Sequence, residues 1–187
     1  GSNDGTLLSK FAEIGCKRLG IEPSDNAKIA EESGIPTIQD FFSGAVAESV
    51  ATTHGKADVI TATNVFAHMP RVEEIMQAVD TLLVEDGTFV SESHYLMDLI
   101  STLQFDTIYH EHLRYYSLHS LTYLLSRSGY EVFRVKRIPT HGGSIRVFAC
   151  RAGRREIEKS VAQLLRSERE FGLDSGERYA RFAREAM

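Results

Sequence analysis

Residues 109–112 read Tyr-His-Glu-His, and two further tyrosines follow at positions 115 and 116. To remove a proton from a carbon beside a ketone, an enzyme needs a general base and a hydrogen-bond donor for the enolate oxygen that forms. An imidazole titrates near neutral pH and suits the first role, and a phenol or a second imidazole suits the other. The segment therefore contains both kinds of group that such chemistry requires. The alternative is a surface loop whose histidines have ordinary hydrogen-bond partners.

A second candidate segment centres on His141, which precedes Gly142 and Gly143. Glycines allow the backbone to approach a bound molecule closely, so we expect His141 to close the same pocket, with a plain hairpin turn as the alternative. The histidines outside these two segments are expected to be structural or to lie at the surface, although His68 could touch an adenosine. They are His54, His68, His94 and His119.

A glycine-rich segment opens the sequence and runs into an apolar helical pattern. It contains Gly1, Asn3, Asp4 and Gly5. The glycines let the backbone approach a ligand, and a helix starting near Asp4 presents free N–H groups and the positive end of its dipole. A pyrophosphate site would require a third glycine, and Asp4 would repel a phosphate. A carboxylate at this position suits the ammonium group of a methionine moiety instead.

Three further pairs of residues follow predicted strands. They are Glu22 and Pro23, Asp40 and Phe41, and Asn64 and Val65. Glu22 lies about 20 residues beyond the glycine segment, where an acid can accept both ribose hydroxyls. Asp40 can accept a hydrogen bond from an adenine amino group, and Phe41 can cover the base. Ligands of open α/β sheets bind at the carboxyl ends of strands, so we expect the cofactor there. For Phe41 or Phe66 taken singly, core packing is the favoured interpretation.

Strand and helix patterns alternate through the first hundred residues. The predicted strands are 18–22, 36–39, 57–63, 88–95, 130–137 and 144–150, and the predicted helices after the first are 24–33, 43–53, 71–83, 96–103 and 118–128. The helix over 71–83 is expected to be closed by Asp86-Gly87. Such alternation predicts an α/β fold of the doubly wound, Rossmann-like kind. Its sheet should be mostly parallel, with an antiparallel hairpin strand at the C-terminal side.

We expect a ligand-binding domain over residues 1–152 and a charged helical extension over residues 153–187. A glycine segment of this kind normally follows a buried strand. We therefore expect the first, central strand to come from upstream sequence or another molecule, between the strands over 18–22 and 57–63.

Charge and composition exclude several classes of protein. The net charge of −5 and the pI near 5.8 argue against nucleic acid as a partner, because phosphates demand a clustered basic surface. No run of about 18 apolar residues and no secretory signal pattern occurs, so neither a membrane span nor export is expected. Cys16 and Cys150 lack ligand spacing, and His110 and His112 are too close for a helical zinc pair. No metal is expected, and a reducing cytoplasm fits best.

Several segments together resemble the sugar nucleotide C-methyltransferases. The resemblance lies in residues 1–8, 20–24, 64–69, 86–90, 105–118 and 139–148. It implies a class I methyltransferase fold, S-adenosylmethionine as cofactor with S-adenosylhomocysteine as product, and a 4-keto deoxysugar nucleotide methylated at C3. It also implies that the family's N-terminal zinc-binding domain and C-terminal domain are absent from these residues.

The resemblance further assigns His112 as the leading base, with Tyr109 and Glu111 as its partners. His110 occupies a variable position of the family pattern. Two alternatives share the cofactor-binding half of the chain. One is a methyltransferase that acts on oxygen or nitrogen of a small metabolite, and the other is a nonenzymatic nucleotide-binding module that has kept the fold.

Overall fold

The computed structural model describes residues 1–186, so Met187, the last residue of the expected extension, lies outside the described residues. Helices in chain order are α1 (Thr6–Glu13), α2 (Asn26–Glu32), α3 (Gly44–Thr53), α4 (Val72–Leu82), α5 (Leu96–Ser101), α6 (Leu118–Ser126), α7 (Lys159–Phe171) and α8 (Gly176–Glu185). Strands are β1 (Gly20–Ile21), β2 (Thr37–Ile38), β3 (Ala57–Thr63), β4 (Leu83–His94), β5 (Tyr130–Ile138) and β6 (Ser144–Arg151). The chain forms two compact units. The first holds residues 1–56 and 77–82, and the second holds the other described residues.

In the first unit, β1 and β2 form a two-stranded parallel sheet. On the other edge of β1, the Ser2 N–H donates to the Ile21 carbonyl at 3.0 Å. Beyond that single bond, this edge has no strand partner among residues 1–186. An additional strand from upstream sequence stays a prediction, and so does the domain boundary at residues 152 and 153.

In the second unit, four strands pair in the order β3-β4-β6-β5. The β3 and β4 strands run parallel, whereas β6 runs antiparallel to both of its neighbours. The predicted hairpin is confirmed, with its second strand inserted beside β4. The expected Rossmann-like α/β class, with parallel pairing and an antiparallel hairpin strand, is confirmed as well.

The expected end of the helix at Asp86-Gly87 is wrong, because those residues lie inside β4. Leu83 pairs with Ala57, whereas Thr88 pairs with Val59. The register of β4 against β3 therefore shifts between these two pairs, and Asp86 and Gly87 lie in the irregular part of the strand. A Cβ at Gly87 would lie 2.5 Å from the Leu83 Cγ and 3.1 Å from the Asp58 carbonyl oxygen. Burial of Leu83 against a close strand neighbour overrides the turn preference of the Asp-Gly pair.

The predicted helical tail consists of two helices. Gly172 ends α7 in the left-handed conformation, with φ 84°, and Ser175 caps α8. Helix α7 belongs to the second unit, where its Glu168 side chain is 2% exposed. The Glu168 carboxylate accepts hydrogen bonds from the Tyr95 hydroxyl and from the first two amides of α6. Helix α7 is thus tied to the elements that carry the candidate site.

Candidate active site

The second unit contains a cavity of about 420 Å³, within the range that small-molecule sites occupy. Its walls come from the carboxyl ends of β3 and β4, from the segment between α5 and α6, and from the turn between β5 and β6. The lining residues are Asn64, Ala67, His68, Ser93, His94, Thr107, Tyr109, His112, Arg114, Tyr115 and His141. Parallel strands deliver their last residues to the same sheet edge, which explains the first two contributions.

His112 is held in a defined orientation. Its Nδ1 lies 3.0 Å from the Thr107 carbonyl oxygen, and its Nε2 lies 3.2 Å from the Tyr109 hydroxyl. A carbonyl can only accept, so Nδ1 carries the proton and the neutral ring has its lone pair on Nε2. The lone pair accepts from the Tyr109 hydroxyl and is available to another donor once that phenol moves. His112 is therefore equipped to act as a base.

Glu111 was expected to be a partner of His112. Its carboxylate makes no hydrogen bond among the described residues; instead its backbone carbonyl lies 2.8 Å from His68 Nδ1. The contact that orients His112 comes from Thr107. A role of the Glu111 carboxylate in the reaction stays a prediction.

His68 was expected to be structural or on the surface, yet it lines the cavity, and its ring centroid lies 4.9 Å from that of His112. Arg114 supports this arrangement by donating to the Met69 and Pro70 carbonyls at 2.6 and 2.8 Å. The sequence held one signal for His68, since it lies five residues beyond the carboxyl end of β3. Arg114 had no such signal.

Three further histidines, two from these segments and one from β4, differ in their placement. His141 lines the cavity as expected and adopts φ 53°, unusual for a residue with a side chain. His110 is exposed, is not part of the lining, and packs edge-on to Tyr109. His94, expected to be structural, lines the cavity.

The residues between positions 1 and 40 that were expected to bind the cofactor lie in the first unit. Glu22 is 7% exposed, and its carboxylate accepts from the Asn3 amide at 2.8 Å and from the amide and hydroxyl of Ser24 at 3.1 and 2.7 Å. A carboxylate offers about four acceptor positions, so these bonds leave room for about one more donor. Burial raises the pKa of Glu22, but the bonds from Ser24 and Asn3 outweigh it and leave the pKa below its usual value. Pro23, expected beside it, is partly exposed.

The glycine segment folds differently in detail from expectation. Helix α1 starts at Thr6, whose amide donates to the Asp4 carboxylate at 3.0 Å. Gly5 is buried at φ 81°, and a Cβ there would lie 3.0 Å from Ile35 and 3.2 Å from Ala30. Packing against α2 therefore requires the glycine at position 5, independently of any ligand. Gly1 and Asn3 are exposed.

The two phenylalanines behave differently. Phe66 is fully buried as expected, but core packing is wrong for Phe41, which is 74% exposed. Asp40 is exposed too, and its carboxylate accepts from the Phe41 amide at 2.7 Å. An exposed aromatic ring beside a carboxylate after β2 is free to contact a ligand.

Asn64 and Val65 follow β3 in the second unit. Asn64 adopts φ 54°, donates its amide to the Glu92 carbonyl at 2.8 Å and lines the cavity. Val65 begins the short 3-10 turn Phe66–His68 that carries His68. The left-handed Asn64 thereby redirects the chain at the sheet edge.

Replacing Glu22 by glutamine should make the free energy of unfolding fall less steeply as the pH is lowered into the acid range. Because the folded pKa of Glu22 lies below its unfolded value of about 4.3, its charge stabilises the fold above that pH, and the contribution disappears as pH falls through the folded pKa. Loss of charge-assisted bonds should cost about 1 to 3 kcal/mol at neutral pH. Urea denaturation of the full-length protein from about pH 7 to pH 3 measures this. The exposed Glu32→Gln variant is the control, and parallel pH profiles for all three proteins would refute the assignment.

Two further features concern metals and membranes. Among residues 1–186, no three or more His, Cys, Asp or Glu side chains are grouped so as to hold a metal ion. Within the same residues, none of the helices has the length and apolar character needed to cross a membrane.

Comparison with known proteins identifies relatives over the whole chain. A family model described as a methyltransferase domain matches residues 1–135, and one described as a C-methyltransferase C-terminal domain matches residues 139–187. The C-methyltransferase NovU of Streptomyces niveus is 40% identical over 185 residues, which make up 98% of this chain and 44% of NovU. The chain thus spans less than half the length of this curated relative.

Solved structures share the fold at low identity. A magnesium protoporphyrin IX methyltransferase from Synechocystis PCC 6803 with bound SAH has a TM-score of 0.62 at 14% identity, over 81% of this chain and 72% of that chain. A SAM-dependent methyltransferase from Archaeoglobus fulgidus has a TM-score of 0.62 at 15% identity, over 80% of this chain and 82% of that chain. These similarities establish a class I methyltransferase fold.

Proposed function

The chain belongs to the S-adenosylmethionine-dependent methyltransferases and carries a C-methyltransferase C-terminal segment, and we propose that it transfers a methyl group to C3 of a 4-keto deoxysugar nucleotide through an enolate. The observation that carries this proposal is the state of His112 in the cavity. A base with its lone pair on Nε2 is what removal of a proton from carbon demands. The relative NovU is a C-methyltransferase, which agrees with transfer to carbon.

His112 takes the C3 proton on Nε2 as the C3–H bond breaks, and the electron pair moves onto the C4 oxygen. The Tyr109 hydroxyl, 3.2 Å from Nε2, is close enough to be displaced onto that oxygen and donate to it. The Thr107 carbonyl stabilises the imidazolium through Nδ1–H. His68 lies beside the ring of His112, with the ring centroids 4.9 Å apart, and is a further polar group at this end of the cavity.

S-adenosylmethionine, when bound, supplies the electrophilic methyl group and leaves as S-adenosylhomocysteine. In the first unit, we propose that the ribose donates to the acceptor capacity left on Glu22 and that Phe41 covers the adenine beside Asp40. The exposure of the Phe41 ring supports the fit, because an aromatic side chain of 74% exposure has apolar surface to cover. In the second unit, Asn64 and Val65 are the proposed contacts.

Deuterium exchange tests transfer to carbon. In D₂O, the full-length protein should exchange the C3 hydrogen of a 4-keto deoxysugar nucleotide and, with S-adenosylmethionine, yield a product with the methyl group on C3. Mass spectrometry and NMR of the product measure both. The same sugar nucleotide reduced to the alcohol at C4 is the control, because it forms no enolate and should not exchange.

Each other outcome decides against part of the proposal. Methylation of oxygen or nitrogen without exchange would favour the small-metabolite alternative. A methyl group on C5, the other carbon beside the ketone, would overturn the position. Cofactor binding with neither exchange nor transfer would favour a nonenzymatic module.

A further inference from the structure

The carboxyl end of β4 presents a polar side chain without a partner. Ser93 is 2% exposed and lines the cavity, and its hydroxyl has no hydrogen-bond partner among residues 1–186. Its backbone is held in the sheet opposite Ile145 of β6. Buried hydroxyls in native proteins are almost always satisfied. Because Ser93 lines the cavity, its hydroxyl is placed to bond to a molecule bound there.

The next residue, His94, also lines the cavity, and its protonation is set by Gln104. The Gln104 side-chain amide donates from Nε2 to the Gly142 carbonyl at 2.8 Å and to the Thr102 hydroxyl. Its Oε1 must therefore be the atom that faces His94 Nε2, at 2.7 Å, and His94 must donate there. The neutral ring then has its lone pair on Nδ1, which makes no hydrogen bond among the described residues. Nδ1 is an acceptor left for a ligand.

Gln104 also fixes the turn that carries His141. A Cβ at Gly142 would lie 2.5 Å from Gln104 Oε1, so the backbone passes directly against this amide. His141 itself is in the left-handed region at φ 53°, a conformation that persists only when neighbouring contacts impose it. One amide thus couples His94 to the turn that closes the cavity.

We propose that Ser93 and His94 form a polar subsite for a ring hydroxyl of the sugar substrate, and that Gln104 is the positioning residue that keeps His94 an acceptor. A sugar hydroxyl donates a hydrogen bond to His94 Nδ1, or it donates to or accepts from the Ser93 hydroxyl. A substrate with hydrogen in its place leaves those buried groups unpaired, and sites built to bind a hydroxyl discriminate strongly against its absence. The inference rests on the proposed function, because it takes the occupant of the cavity to be a sugar.

The test compares pairs of 4-keto deoxysugar nucleotides that differ only by hydroxyl or hydrogen at one ring carbon. For one such pair, the full-length protein should prefer the hydroxyl compound by about 10-fold to 100-fold in kcat/KM, mostly through KM. Ser93→Ala and His94→Phe should each reduce that preference. Gln104→Met should also reduce the preference for the hydroxyl compound. Adding Gln104→Met to His94→Phe should cause no further loss of that preference. The exposed His119→Asn variant is the matched control and should keep the preference.

Equal preference in the parent and in all three variants would overturn the subsite. Full additivity of Gln104→Met with His94→Phe would overturn the positioning role of Gln104. If no methyl transfer is found, the same pairs are compared by calorimetric binding. A hydroxyl preference that disappears in His94→Phe then supports the subsite although the proposed function has failed, whereas equal affinities reject it.

Discussion

Replacing His112 by asparagine should lower turnover by about 100-fold to 10,000-fold, the usual contribution of a general base. Asparagine keeps the approximate size of the side chain and some of its hydrogen bonding, but it cannot take a proton near neutral pH. Because no cofactor residue of the first unit is changed, the affinity for S-adenosylmethionine should stay at the parent value. Steady-state kinetics, deuterium exchange at C3 and calorimetry measure the three quantities.

The control for this prediction is His119→Asn, the same substitution at an exposed histidine of α6, which should keep full turnover. Exchange at C3 should fall together with methylation in the His112 variant. If methylation is lost but exchange continues at the parent rate, another group removes the proton. Tyr109 and His141 are then the next residues to vary, because both line the cavity.

Replacing Glu168 by leucine should destabilise the protein by about 3 to 6 kcal/mol. The change removes the carboxylate that accepts from the Tyr95 hydroxyl at 3.0 Å and from the Leu118 and His119 amides at 2.5 and 2.9 Å. The two amides lose their acceptor, and the Tyr95 hydroxyl keeps only the Met97 sulfur at 3.5 Å. Each unsatisfied group costs about 1 to 3 kcal/mol. The carboxylate also lies at the N-terminus of α6, where its negative charge interacts favourably with the positive end of the helix dipole, and this interaction is lost as well. Urea denaturation measures the effect.

Glu170→Leu is the matched control, because this exposed glutamate of the same helix should change stability by less than about 0.5 kcal/mol. Glu168→Gln should fall between the two, since an amide oxygen accepts but the amide nitrogen faces a donor. A Glu168→Leu variant as stable as the control would show that α7 does not hold α6 and Tyr95 in place.

Parts of the site could be predicted because they depend on local spacing. Tyr109 and His112 are three residues apart, so a single turn brings them together, and the structure shows the phenol against the imidazole. Asn64 and His141 were predicted from their positions after a strand and beside two glycines, and both line the cavity. Sequence order alone places such residues at a sheet edge, since parallel strands end on the same side.

Other parts could not be predicted because they depend on contacts between distant residues. His94 and Gln104 are partners across ten residues and Gln104 reaches Gly142 across 38, and neither separation leaves a periodic signal. Helix α7 meets α6 through Glu168 at a separation of 50 residues.

The exposure of individual side chains could not be predicted from the sequence either. Phe41 and Phe66 are the same residue type after successive strands, yet one is 74% exposed and the other fully buried. The sequence by itself determined the α/β alternation, the antiparallel hairpin and the groups at the strand ends, because periodicity and turn chemistry are local properties. Only the tertiary structure decided which oxygen orients His112, which hydroxyl is left unpaired at Ser93 and which phenylalanine is available to a ligand. Each of these depends on the distances and burial that side chains far apart in the chain acquire when they pack.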